Sequence, residues 1–175
     1  MERGGTVNKP FLNIAELQLE SWTQGANYQS SDASFGRLLG LRNLGISYNE
    51  VPAGKSSCPF HNHHVEDELF IVLEGEGTYR YGADSHAIKA GDVLGAPAGD
   101  RSTAHQIINT GTGVLRYFGI STMAATEVCE YPDSNKFGVF SRTSGNPTDK
   151  SSLRHIAREA ASLDYWDGEN IGEVK

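Results

Sequence analysis

Cysteine is scarce in this 175-residue chain, which has only Cys58 and Cys129. Two isolated thiols cannot build the disulfide framework of a small secreted domain, and both are expected to be reduced. Basic residues are also in short supply, 15 against 22 acids, for a formal net charge of −7. Nucleic-acid binding depends on Lys and Arg neutralising phosphates, so this balance argues against such a partner, and no basic stripe restores it. No apolar run approaches the roughly 18 residues of a membrane span, so no membrane partner is expected. The segment MERGGTVNKPFLNIAELQLE has no apolar core behind basic residues, so it does not resemble a secretory signal, and a cytoplasmic location is expected.

What is present points to a folded domain with a single core. A chain of this length buries about 70% of its unfolded surface without staples. Hydrophobic residues make up 38% of the composition, with seven Phe, seven Tyr and two Trp, which excludes wholesale disorder. Glycine is the commonest residue at 20 of 175, well above the usual share of about 7%. It recurs at short intervals, which means many tight turns. Between the glycines lie strand-like runs at 44–51, 68–73, 77–82, 92–96, 104–109 and 114–121. None has a helical period, so the expected class is all-β, an antiparallel sandwich or barrel over residues 35–122.

The flanks read differently. Residues 1–34 form an N-terminal arm, in which 10–22 suits a strand or short helix and 23–34 a polar loop. Residues 123–175 form a C-terminal arm that opens on an irregular stretch, EYPDSNKFGVFSRTSGNPTDK. Further on, Leu153, Ile156, Ala157, Ala160 and Leu163 recur at helical spacing behind Ser151 or Ser152, which predicts a short helix over 151–163. Tyr165 and Trp166 then suit packing of the arm onto the barrel or a partner subunit.

Two segments carry the chemistry. In PFHNHHVEDELFIVLEGEG, alternation along a strand points His61 and His63 the same way, Asn62 and His64 the other. Glu68 opens the next strand at the head of an otherwise apolar row with Phe70 and Val72. An ion there needs a metal or a strong hydrogen-bond donor, because burying it unpaired costs several kcal/mol. In AGDVLGAPAGDRSTAHQIIN, the turn at Gly91–Asp92 and the loop Pro97-Ala98-Gly99 imply a hairpin, and His105 heads a mixed row with Ile107 and Asn109. Three imidazoles and one carboxylate are the donor set of a catalytic transition-metal site. Cys58, Asp67, His86 and His155 receive no role: Asp67 is expected to be a solvated turn residue, His86 lies in a predicted loop and His155 in the predicted helix.

These segments resemble the two motifs of the cupin superfamily. The first, a glycine, His-x-His, an acid and a further glycine, corresponds to Gly54, His61, His63, Glu68 and Gly75. The second, a glycine, Pro-x-Gly, a histidine and an asparagine, corresponds to Gly91, Pro97, Gly99, His105 and Asn109. Gly54 to His61 and Gly99 to His105 are longer than in the family pattern, and both insertions fall in predicted loops. Residues of about 36–140 look like single-domain bacterial cupins often labelled mannose-6-phosphate or sugar-phosphate isomerase-like. The resemblance implies a double-stranded β-helix, the cupin jelly-roll barrel, with a divalent metal held by His61, His63, Glu68 and His105. It also implies a tendency to form homodimers.

With those four ligands, five- or six-coordination leaves one or two positions open for a small-molecule substrate or ligand. The donors suit Zn, Fe, Mn, Ni, Co or Cu, and ligand count does not choose among them. The first expectation is Lewis-acid and proton-transfer chemistry, such as isomerisation, on a small sugar-like or hydroxyacid substrate. Tyr79, Tyr81 and Tyr117 are the candidate catalytic residues. An Fe(II)- or Cu(II)-dependent dioxygenase and a non-catalytic small-molecule-binding cupin are the alternatives. Lys55, Arg80, Arg101 and Arg116 are scattered along the chain, so no phosphate handle is evident.

Overall fold

The computed structural model describes residues 10–141 and 153–172. In chain order the first strands are β1 (Glu20–Gln24), β2 (Tyr28–Ser34), β3 (Leu44–Val51), β4 (Asn62–His63), β5 (Glu68–Glu74), β6 (Glu76–Tyr81) and β7 (Asp84–Lys89). They continue with β8 (Val93–Ala96), β9 (His105–Ile108), β10 (Leu115–Thr122), β11 (Thr126–Tyr131), β12 (Lys136–Ser141) and β13 (Leu153–Ala157). All ladders between named strands are antiparallel. Among the described residues the only helical elements are 3-10 turns of three or four residues. The fold is of the all-β, antiparallel class that the turn spacing predicts, and it is the jelly roll that the resemblance implies.

One sheet has six strands in the order β1-β2-β3-β10-β5-β8. The others are β13-β12-β11-β4 and β7-β6-β9. The six predicted runs correspond to β3, β5, β6, β8, β9 and β10. Period-two alternation turns Phe70 and Val72 of β5, Leu115 and Tyr117 of β10, and Tyr79 of β6 into one shared core with Val51, Ile88 and Ile107. Val51, Val72 and Leu115 are fully buried, and each stabilises the barrel by roughly 1.5–3 kcal/mol.

Four local expectations are corrected. The polar stretch 28–34 is strand β2, paired to β3 from Ser31↔Glu50 to Ser34↔Ser47. A central-sheet partner and a cavity-facing side accept Ser and Asp where an apolar face would not. The hairpin that leads into it turns at Gly25, whose φ of +60° suits glycine. Residues 136–141, within the stretch expected to be irregular, form β12 against β11. The expected helix over 151–163 is instead strand β13, Leu153–Ala157, followed by a 3-10 turn at Glu159–Ala161; Ser151 and Ser152 lie outside the described residues. The outer edge of β12 presents unpaired backbone groups, and pairing from Ser141↔Leu153 to Phe137↔Ala157 satisfies them, which a weak helical period does not. His155 is accordingly on a strand, and His86, expected in a loop, lies on β7 opposite Tyr79.

Candidate metal centre

β4 is only two residues long, yet it is held on both sides. Its Cys129↔His63 and Glu130↔Asn62 pairs join it to β11. Just before it, His61 and His105 exchange both backbone hydrogen bonds, at 3.1 and 2.7 Å. The two sequence segments are thus joined main chain to main chain at their histidines. Asn62 points away, fully buried, and donates to the Gly99 carbonyl at 3.2 Å. His61 and His63 therefore face the same side, as alternation predicts, with ring centroids 4.9 Å apart. His64 turns outward to Glu130 at 3.3 Å.

Glu68 opens β5 beneath the three rings. Its Oε2 lies 2.9 Å from His105 Nε2, 3.2 Å from His63 Nε2 and 3.7 Å from His61 Nε2. The donor atoms of His61, His63 and Glu68 all lie within 4.8 Å of one another, and His105 joins them through Glu68. Burial alone would raise the Glu68 pKa, but the imidazoles of His105, His61 and His63 outweigh it and hold the carboxyl far below the usual range. For His61, burial works against the charged ring, yet Cys58 and Glu68 prevail and raise its pKa well above the ordinary value.

The outer ring nitrogens show that the group fits a metal. His61 Nδ1 is 2.8 Å from the Pro59 carbonyl oxygen, and His105 Nδ1 is 3.2 Å from that of Thr103. A carbonyl only accepts, so Nδ1 carries the proton in each ring, and in the neutral ring Nε2 keeps a bare lone pair. Those lone pairs face an ionised carboxylate, an arrangement that is repulsive unless each ring gains a second proton or a cation sits among them. His63 Nε2 is buried and, although 3.2 Å from Glu68 Oε2, is not in hydrogen-bonding geometry. One divalent ion would satisfy all three imidazoles and the carboxylate at once.

Glu127 is a functional neighbour that the sequence reading missed. It is buried, and its Oε1 accepts from the backbone N–H groups of His64, Val65 and Val128 while Oε2 accepts from Glu66 N–H at 2.6 Å. Oε2 also lies 3.8 Å from His63 Nδ1, and Cys129 Sγ lies 3.3 Å from that nitrogen. This carboxylate therefore clamps the turn between the two histidines and Glu68. A signal was there: Glu127 shares strand parity with Cys129 and Tyr131 in TEVCEY. Asp67, although exposed, ties the same turn by accepting from Ala98 N–H at 2.8 Å.

Beside the histidines opens a cavity of about 540 Å³, within the size range of small-molecule sites. His61, Glu68, Cys58, Ser57 and Tyr117 line its inner end. Of the three tyrosines singled out, Tyr117 lines the cavity, its hydroxyl 2.5 Å from Ser57 Oγ. Tyr79 is buried in the core and donates to the Gly95 carbonyl, and Tyr81 packs partly buried against that core. Neither lines the cavity. Burial raises the pKa of Tyr79 and Tyr117 well above 10, so both hydroxyls hold their protons at neutral pH and act as hydrogen-bond donors. Neither Cys58 nor Cys129 is in a disulfide.

Comparison with known proteins agrees with this architecture. Residues 47–121, from β3 to β10, match the family described as Cupin domain. The chain is 35% identical over 71 residues to an oxalate-binding protein of Thermotoga maritima, a match covering 41% of this chain and 55% of that one. It thus spans about half the length of that curated relative. A crystal structure from Acidithiobacillus ferrooxidans, provisionally called a sugar phosphate isomerase, superimposes with a TM-score of 0.73 at 28% identity, covering 89% of this chain and 96% of the other. A second, called a sugar phosphate isomerase from a cupin superfamily, from Silicibacter pomeroyi, shares the fold with a TM-score of 0.73 at 22% identity, over 90% and 98% of the two chains. The chain thus matches the Cupin domain family over residues 47–121 and is similar in fold to these two structures.

Proposed function

We propose that this cupin binds one divalent transition metal through His61, His63, Glu68 and His105 and acts on a small, polar, oxygenated molecule, by isomerisation or a related proton transfer. The observation that carries this reading is the convergence of three imidazole Nε2 atoms on one ionised carboxylate oxygen, with the Nδ1 atoms of His61 and His105 facing backbone carbonyls. The sugar phosphate isomerase name of the Acidithiobacillus structure and the oxalate-binding name of the Thermotoga protein support a substrate of this chemical class. When bound, the metal would act as a Lewis acid on a carbonyl or hydroxyl oxygen.

The chain's own residues supply the rest. Pro59 and Thr103 fix the two rings through their carbonyls, and Glu127 fixes the turn behind His63. Tyr117, kept protonated and paired with Ser57, offers a hydroxyl to a substrate oxygen at the inner end of the cavity. Phe70 walls the same cavity and excludes water from that side. Cytoplasmic residence and a homodimer belong to the proposal. The dimer is supported by the exposed outer face of β5 and β8, where Leu69, Leu73 and Val93 stand in solvent.

The test is metal content measured by mass spectrometry on untagged protein purified without added metal, beside the Glu68→Gln variant. The wild type should carry close to one divalent metal per chain. The variant should lose it, with affinity down by more than the roughly 10–100-fold typical of losing an outer partner, while its β-type circular dichroism persists. Full occupancy in Glu68→Gln would refute the ligand assignment. The metal found also selects the chemistry, since near-stoichiometric iron or copper would direct attention to oxygen uptake.

A further inference from the structure

The cavity extends from the metal centre across the inner face of the six-stranded sheet. Glu68 and Phe70 of β5, Tyr117, Gly119 and Ser121 of β10, Gly45, Ser47 and Asn49 of β3, and Asp32 and Ser34 of β2 all line it. Every one of these lies on the same strand parity. Three strand spacings separate β5 from β2, so the floor runs about 14 Å from Glu68. Apart from Phe70, these inward-facing strand residues are glycine or carry hydrogen-bonding side chains, while Trp22, Leu41, Leu44, Ile46 and Met123 add apolar lining. Gly119 keeps it open, because a Cβ there would come within 3.0 Å of Ser47 Oγ and 3.6 Å of the Phe70 ring.

Arg37 and Arg42 also line this cavity, at an exposed edge. Their segment is fastened at several points. Phe35 N–H donates to the Ile46 carbonyl at 2.9 Å, and the buried Phe35 ring packs edge-on against Phe118 at 5.8 Å. Gly36 lies so close to β3 that a Cβ would come within 2.9 Å of the Leu44 carbonyl oxygen. Beyond the turn, Met123 N–H donates to the Asn43 carbonyl at 3.1 Å. The two arginines are thus displayed from an anchored loop.

They also differ from the other barrel arginines in having no carboxylate. Arg80 pairs with Asp133, Arg101 with Glu130, and Arg116 with both Glu50 and Glu74. Among the described residues the side chains of Arg37 and Arg42 make no ion pair or hydrogen bond, in a chain with seven more acids than bases. The cavity's own second acid, Asp32, is engaged by Trp22, whose Nε1–H donates to Oδ1 at 2.7 Å.

We infer that Arg37 and Arg42 form an anion subsite at the far end of the cavity from the metal centre, so that the substrate is an acidic, polyhydroxylated molecule of about sugar length. This rests on the metal-centre reading and names its substrate class. The metal end would take a carbonyl or hydroxyl, the Ser47, Asn49 and Ser121 side chains would face the hydroxyls between, and the guanidinium pair would take a carboxylate or phosphate.

The cavity contains its own reporter, Trp22. In a Trp166→Phe background, which silences the second tryptophan, the fluorescence of Trp22 is titrated with D-glucose, D-gluconate and D-glucose 6-phosphate. At least one anion should bind about tenfold or more tightly than glucose, and added salt should weaken that preference. Tighter binding of the gluconate or of the phosphate ester decides which anion the subsite takes. The Arg37→Gln/Arg42→Gln variant should lose the preference while keeping wild-type metal content and melting temperature. If the anions bind no better than glucose, or if the double variant retains the preference, the subsite is refuted while the metal reading stands on its own measurement. If the protein proves metal-free yet keeps an arginine-dependent anion preference, the metal reading fails and the subsite survives.

Discussion

Tyr79, Tyr117 and Tyr131 place phenol groups where ionisation is costly. Burial raises all three pKa values, that of Tyr131 up to about 12, with the neighbouring Cys129 adding to it. In the unfolded chain each phenol ionises near 10. A folded-state pKa raised above the unfolded value gives stability that is fully present below about pH 10 and lost as pH rises through the folded value. Melting temperature should therefore stay level up to about pH 9.5 and fall between about pH 10 and 12. Tyr131→Phe should soften that fall. A melting temperature unchanged to pH 12 would show that these hydroxyls are not held neutral by the fold.

At the scale of elements, the turn from His63 to Glu68 decides whether two histidines and a carboxylate meet. Its backbone is fastened by side chains from β10 and β11: Thr122 accepts from Asp67 N–H through Oγ1, and Glu127 accepts from three of the turn's amides. Glu127→Gln replaces one accepting oxygen by a donor that faces these N–H groups. The expected cost is about 2–4 kcal/mol, read as a lowered denaturation midpoint, with faster amide exchange confined to residues 64–66. Metal affinity should fall with it, by roughly 10–100-fold. Unchanged exchange at those amides would remove Glu127 from the positioning role.

For the whole molecule, the outer surface carries a second message. Leu69, Leu73 and Val93 form an exposed apolar face on β5 and the edge strand β8, and Tyr165 and Trp166 stand exposed on the C-terminal arm. Light scattering should give twice the chain mass, and Val93→Glu should shift the protein toward monomer, because a charge at the centre of an apolar contact is left unpaired. A monomer in the wild type would leave that face to some other role. Among the described residues no helix is long and apolar enough to cross a membrane.

Much of the barrel, and the convergence of His61, His63, Glu68 and His105, were legible in the sequence, because both rest on period-two alternation and turn residues, which are local properties. His61 and His63 had to share a face, Glu68 had to head a buried row, and the glycine spacing left room only for short strands. What the sequence could not disclose depends on partners remote in the chain. The polar segment 28–34 is a strand because β3 pairs with it, and Leu153–Ala157 is a strand because β12 offers an open edge. Glu127 and His63 become neighbours, and Arg37 and Arg42 come to line one cavity with Glu68, only once the sheets close. Local chemistry therefore determined that donors for a metal would be presented. Tertiary packing alone decided which side chains surround that point, since backbone hydrogen bonding between distant strands sets their proximity.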